Sequence, residues 1–290
     1  MPFWNKRDQS GGHDKPKRRE SGNTDPYPIE LVGSPEFQAR VKRLSAVLAA
    51  SLNQTEWAAN IDNLKTSSGY LTALTWAVYN VLSQENGAGQ THRGDPFAYL
   101  PSDENTSPGT MKAYLQLRPE NKAATEAIAT SIQTQIKKRG MQLAGKFDRF
   151  PESNRRDRIV FYFHPEDRGK ILPLLSELAS DLVTDPGPLR DISPQVSSGI
   201  NYAVDPNKAW NTFVSLCIPE DGKYVFSYRR MFAFFSAIEV AQHILNSRGK
   251  DQKSKELQQY ISAVAEAVKD FNKDPQEAYA KFMKRMNPRG

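Results

Sequence analysis

The stretch YLQLRPENK, Tyr114 to Lys122, is echoed by VFYFHPEDR, Val160 to Arg168. In each copy an apolar, β-favouring run ends in a cationic or titratable residue, Arg118 or His164, and Pro-Glu follows. Proline in a first helical turn gives up an amide that had no partner, and glutamate there faces the positive end of the helix dipole. A helix start also points free backbone amides at an anion. Two such corners, carrying Arg118 and His164 at equivalent positions, would favour a phosphate if they lay on the same edge of a sheet. Between the copies, KFDRFPESNRRDR gathers Lys146, Arg149, Arg155, Arg156 and Arg158 around two adjoining strands. The same features also read as scaffold: a repeated strand-helix unit with a polar turn residue, and a basic hairpin tip.

The elements that position these residues follow from periodicity. Met111 to Leu117 and Ile159 to Phe163 are predicted strands, each leading into a helix. The first helix carries Ala124, Ala127, Ile128, Ile132 and Ile136 at three- and four-residue steps, and the second Ile171, Leu172, Leu174, Leu175, Leu178 and Leu182. MQLAGKFDRF supplies a strand between them and SSGINYAVDP a further one. The order β-α-β-β-α predicts an α+β fold, with a mixed sheet of the split βαβ kind and helices on one face. Flanking helices are expected on both sides. Ser34-Pro35 caps a first one and Tyr70 to Leu82 forms a second. Tyr228 to Leu245, with its FAFF cluster, should be a buried helix, and Lys255 to Phe271 and Pro275 to Met286 two amphipathic ones. Residues 83–109 read as loop, with PFAYL as a short strand. The expected organisation is a disordered basic tail over 1–33, a helical region over 34–100, the α+β core over 101–206 and a helical region over 207–290.

Bulk composition bounds the function. The chain has 290 residues, 38% hydrophobic and 25% charged, which is the composition of a globular protein with a sizeable core. Its formal charge of +6 predicts an anionic partner. One cysteine, Cys217, excludes an internal disulfide framework and a cysteine-rich zinc site. No dinucleotide glycine fingerprint, P-loop or metal-ligand spacing occurs, so neither cofactor nor metal is expected. No apolar run is long enough to span a bilayer and the N-terminus has no signal-peptide core. Membrane insertion is therefore not expected, and the location expected is the bacterial cytoplasm, with any export proceeding without a Sec signal. Nucleic acid is a poor fit as partner, because no RNA-binding signature, zinc spacing or helix-turn-helix accompanies the basic charge.

Arg118-Pro119-Glu120, Lys146, Arg155 to Phe163, Ser197 to Ala203 and Arg230 form an ordered series. In that series the chain resembles the Hop A family of type III effectors from plant-pathogenic Pseudomonas and its relatives in lanthipeptide and thioamitide biosynthesis. The resemblance covers about a third to two fifths of the chain. It implies a fold like that of phosphothreonine lyases and a β-elimination of phosphate from phosphoserine or phosphothreonine. Such a reaction needs a base for the α-proton, cations for the phosphate and an acid at the leaving oxygen. A lysine desolvated among other cations suits the first need, and guanidinium groups suit the second. On this reading Lys146 is the base, His164 the acid, and Arg118, Arg156, Arg158 and Arg230 the phosphate clamp. The alternative is an effector or scaffold that holds a host protein or phosphopeptide without turnover, with an acidic secretion chaperone at the N-terminal region. Convergence of Lys146, Arg118, His164 and Arg230 on one pocket would favour the enzyme.

Overall fold

A computed structural model describes residues 25–63, 65–85, 97–101, 110–153, 155, 157–184, 192–218, 227–248, 251–271 and 273–286. Three helices come first: α1 (Pro35–Ser51), α2 (Gln54–Asn60) and α3 (Ser67–Glu85). Ser34 caps α1 as expected, its side chain accepting from the Phe37 amide with Pro35 in the first turn. Six strands follow, interrupted by two helices: β1 (Phe97–Tyr99), β2 (Met111–Leu115), α4 (Thr125–Lys138), β3 (Ala144–Asp148), β4 (Ile159–Phe163), α5 (Arg168–Ala179), β5 (Gln195–Ser197) and β6 (Ile200–Val204). Four helices close the chain: α6 (Lys208–Cys217), α7 (Tyr228–Ser247), α8 (Gln252–Phe271) and α9 (Pro275–Met286). The architecture is α+β, as the periodicity predicts.

The sheet order is β1-β3-β4-β2-β6-β5, and every neighbouring pair is antiparallel, so the expected mixed sheet is corrected to an antiparallel one. Because β4 lies antiparallel between β2 and β3, those two strands run parallel to each other, and α4 connects them. By the same logic β4 and β6 are parallel with β2 between them, joined through α5. Two interleaved split βαβ units result, the ferredoxin-like β-α-β-β-α-β arrangement, with β1 and β5 added at the edges. SSGINYAVDP contributes a hairpin of two strands rather than one. Gly199 makes its turn at φ +74°, where a side chain would run into Thr184 and Val183.

Alternation along the strands gives the sheet two different faces. Met111, Ala113, Leu115, Phe147, Ile159, Phe161 and Phe163 point to one face, where Ile132 and Ile136 of α4 and Ile171, Leu172 and Leu175 of α5 seal them into one core. Gly145 permits this closeness, since a β-carbon there would stand 2.8 Å from Leu100 and 2.9 Å from Phe161. The other face looks toward a second core built from α1, α3, α6, α7, α8 and α9. At its centre is α7, whose Phe232, Ala233, Phe234 and Phe235 are all buried, so FAFF is core as expected.

One expectation fails at the N-terminal side. Residues 1–24 lie outside the described residues, but 25–33, expected to be disordered with them, form a packed strap. Asp25 pairs with Arg168 at 3.1 Å, and Arg168 Nε donates to the Tyr27 carbonyl at 2.6 Å. The Tyr202 hydroxyl donates to the Pro28 carbonyl. Glu30 is buried, accepting from Arg40 at 2.9 Å and from the Tyr228 hydroxyl at 2.8 Å. Polar and proline-rich composition predicts disorder because it offers little apolar surface. Here three ion-pair and hydrogen-bond anchors, set by partners far along the chain, do the ordering instead.

Candidate functional site

The repeated corners are real and they are separated. Register pairs Tyr114 with Val160, and Arg118 lies four residues beyond Tyr114 while His164 lies four beyond Val160 in the opposite direction. At about 3.3 Å per residue the two corners are roughly 25 Å apart. The pseudo-symmetry that repeats the motif also sends its copies to opposite ends of the sheet. Both corners begin with short 3₁₀ turns, Pro119–Ala124 and Pro165–Asp167, before α4 and α5. Arg118 is exposed and its Nε donates to the Val183 carbonyl at 2.9 Å. The expectation of a shared edge is therefore corrected: Arg118 and His164 cannot hold one phosphate.

The other proposed clamp residues also disperse. Arg158 has no exposed surface. It donates to the carbonyls of Phe150 at 2.6 Å and Ser153 at 2.7 Å and to the Thr125 hydroxyl at 3.3 Å, with Asp148 at 3.9 Å. Burial lowers its pKa, and the Asp148 and Glu152 charges oppose that shift. Those bonds pin the loop between β3 and β4 to the start of α4, so Arg158 is a structural residue and not part of an open clamp. Arg230 lies over the rings of Trp76 at 4.9 Å and Tyr79 at 5.4 Å. Arg156 lies outside the described residues.

Lys146 does reach a cavity. Between the open face of the sheet and the helical layer is a space of about 190 Å³, and four cations line it: Lys112 from β2, Lys146 from β3, Arg155 from the β3–β4 loop and Arg229 from the first turn of α7. The floor is a row of register partners, Lys146, Val160, Tyr114 and Asn201, with Lys112 and Tyr162 paired in the next outward-facing row. Lys146 Nζ sits 4.2 Å above the Phe97 ring and the Arg155 guanidinium 4.6 Å from the same ring. Lys112 pairs with Asp205 at 2.5 Å.

Among the described residues Asp157 is the one carboxylate in the lining, and it is buried. Arg155 reaches it at 3.3 Å and Arg229 at 3.7 Å. A cation from the β3–β4 loop and one from the helical layer thus share the Asp157 carboxylate. Among the described residues, Lys112, Lys146, Arg155 and Arg229 stand against two carboxylates, Asp157 in the lining and Asp205 beside Lys112. Tyr114 at the centre is held protonated well above the usual phenol range, first by burial, then by the Asp205 charge, with Arg229 opposing. The arrangement can hold a doubly charged anion against a wall of cations and phenol hydroxyls.

Lys112, Asn201 and Arg229 escaped the sequence reading as site residues. Lys112 and Tyr114 are the outward members of β2, so period-two alternation assigns their face, and the register through β4 places them with Lys146. Arg229 and Arg230 are adjacent on a helix and diverge, and only the packing of α7 decides which one faces the sheet. Among the described residues no group of three or more His, Cys, Asp or Glu could hold a metal ion, and no helix is long and apolar enough to cross a membrane. Neither a scan against protein-family models nor a search of curated proteins returned a match for the sequence.

Proposed function

We propose that this protein binds a phosphorylated ligand, a phosphopeptide or phosphoprotein, in the cavity between its sheet and its helical layer. The observation that carries the reading is the convergence of Lys112, Lys146, Arg155 and Arg229 on one space. Guanidinium groups offer forked donors to phosphate oxygens, and a partly closed cavity strengthens each such bond. The likeness to the Hop A family supports the same ligand class, and an effector role exported without a Sec signal belongs to that likeness.

Elimination is the second reading, favoured by the position of Lys146 among the cavity's other cations. In that reaction Lys146 would take the α-proton, the C–H electron pair would form the Cα=Cβ bond, and the Cβ–O bond would break to release phosphate. His164 is four residues along from the Lys146 row, about 13 Å away. A phenol of the cavity, Tyr114 or Tyr162, would have to assist the leaving oxygen in its place.

Calorimetric titration with phosphoserine peptides tests binding, with retention by the intact protein and at least about ten-fold weakening in Arg229→Gln as the expected result. Equal affinity for the unphosphorylated peptide would sink the reading. Mass spectrometry of the same peptides separates the two alternatives. Loss of the whole phosphoric acid unit with the intact protein, abolished in Lys146→Ala, establishes elimination; unchanged peptides leave binding alone.

A further inference from the structure

Two of the four cations, Lys146 and Arg155, occupy one end of the cavity floor. The row from Lys146 to Asn201 crosses β3, β4, β2 and β6, and at about 4.8 Å per strand its ends are roughly 14 Å apart at Cα. Lys146 and Arg155 both lean on Phe97, toward the β1 edge and away from Asn201. A phosphoryl group held there leaves the Asn201 end unfilled.

Asn201 has no exposed surface and lines the cavity. Its Nδ2 donates to the Ser193 carbonyl at 3.2 Å. A carbonyl only accepts, so this bond fixes which way the amide faces. Its Oδ1 then looks for a donor and has no hydrogen-bond partner. Buried acceptors are rarely left unmet, because the lost hydration is not recovered. A fully ionised phosphate offers acceptors only and cannot meet it.

We propose that Asn201 Oδ1 is an uncharged second subsite, and that the cavity selects a phosphomonoester carrying an N–H donor at the end away from its phosphoryl group. The backbone amide of a phosphorylated residue, or of its neighbour, has this chemistry. Bare phosphate and simple alkyl phosphates lack it. The inference rests on the phosphoryl reading of the cationic end and adds the group that reads the rest of the ligand.

The test uses the full chain and four probes in calorimetric titrations: inorganic phosphate, ethyl phosphate, N-acetyl-phosphoserine methylamide, and the same compound with both amide nitrogens methylated. The blocked phosphoserine should bind about ten-fold tighter than ethyl phosphate, and methylation of its nitrogens should remove that advantage. In Asn201→Ala the advantage should vanish while ethyl phosphate binds as before. The methylated probe keeps the test decisive even if that variant folds poorly. Equal binding of the methylated and unmethylated compounds by the intact protein overturns the subsite and leaves the phosphoryl reading standing. Failure of all four probes to bind overturns both.

Discussion

The two faces of the sheet are built from the same strands and end in opposite states. On one face Phe147, Ile159 and Phe161 are sealed under α4 and α5. On the other, Lys146, Val160 and Tyr162 line a cavity that the helical layer covers without filling. The basic loop between β3 and β4 divides the same way. Arg158 is consumed by carbonyls in the interior, whereas Arg155, three residues earlier, reaches the cavity. The same few residues therefore supply both the sealed interior and the cavity lining, and charge alone does not tell which arginine goes where.

The strongest way to break this division is to remove the buried arginine. Arg158→Ala should cost about 3–5 kcal/mol of stability, because it leaves Asp148 and two carbonyls unmet in the interior. Urea unfolding measures it, and a loss under 1 kcal/mol would return Arg158 to the candidate site. The tyrosines give a pH test of the covered face. Burial holds Tyr70, Tyr114, Tyr228 and Tyr260 above the usual phenol range and raises Tyr202 to about 12. Above about pH 10 the unfolded chain gives up these protons while the folded one keeps them. The unfolded state then binds fewer protons, so stability falls with rising pH, by up to about 1.4 kcal/mol per pH unit for each tyrosine. Below the unfolded value no loss from this source is expected. Tyr114→Phe should flatten that alkaline slope by about one proton, and an unchanged slope would place Tyr114 in solvent.

Smaller effects sharpen the cavity side. Asp157→Asn releases Arg155 and Arg229 from their shared counter-charge and should tighten phosphate binding several-fold at low salt, an advantage that fades as screening increases. Weaker binding in that variant would show that Asp157 orients the two arginines more than it neutralises them. The smallest effects belong to the repeated corners. Arg118→Ala and His164→Ala should each change stability by about 1 kcal/mol or less and leave phosphopeptide affinity unchanged. A ten-fold affinity loss in either would contradict their placement at opposite ends of the sheet.

Much of the scaffold was legible in the sequence, and the site only in part. Apolar spacing marks α4, α5 and α7 because those helices bury a regular face, and Ser34-Pro35 marks a helix start by local chemistry. The split βαβ arrangement follows from the order of strands and helices. The site needs register, which no local pattern supplies. Arg118 and His164 look equivalent in sequence because they are equivalent under the fold's pseudo-symmetry, and that symmetry is what separates them. Lys146 was singled out through the family likeness, on a strand that also carries Asp148. Arg229 could not be chosen over Arg230 without the rotation of α7, which its contacts with α1 and α3 determine. The strap over 25–33 was missed because its partners, Arg168, Tyr202 and Tyr228, are remote in sequence.

That strap has a consequence for how the protein is made. Glu30 leaves the ribosome 198 residues ahead of Tyr228, the hydroxyl that receives it, which at about 5–20 residues per second is a delay of roughly 10–40 s. Arg40, ten residues on, is a partner available to the carboxylate long before Tyr228. The segment over 25–33 is thus synthesised well before it can be fastened, so its closure reports that the chain has reached Tyr228.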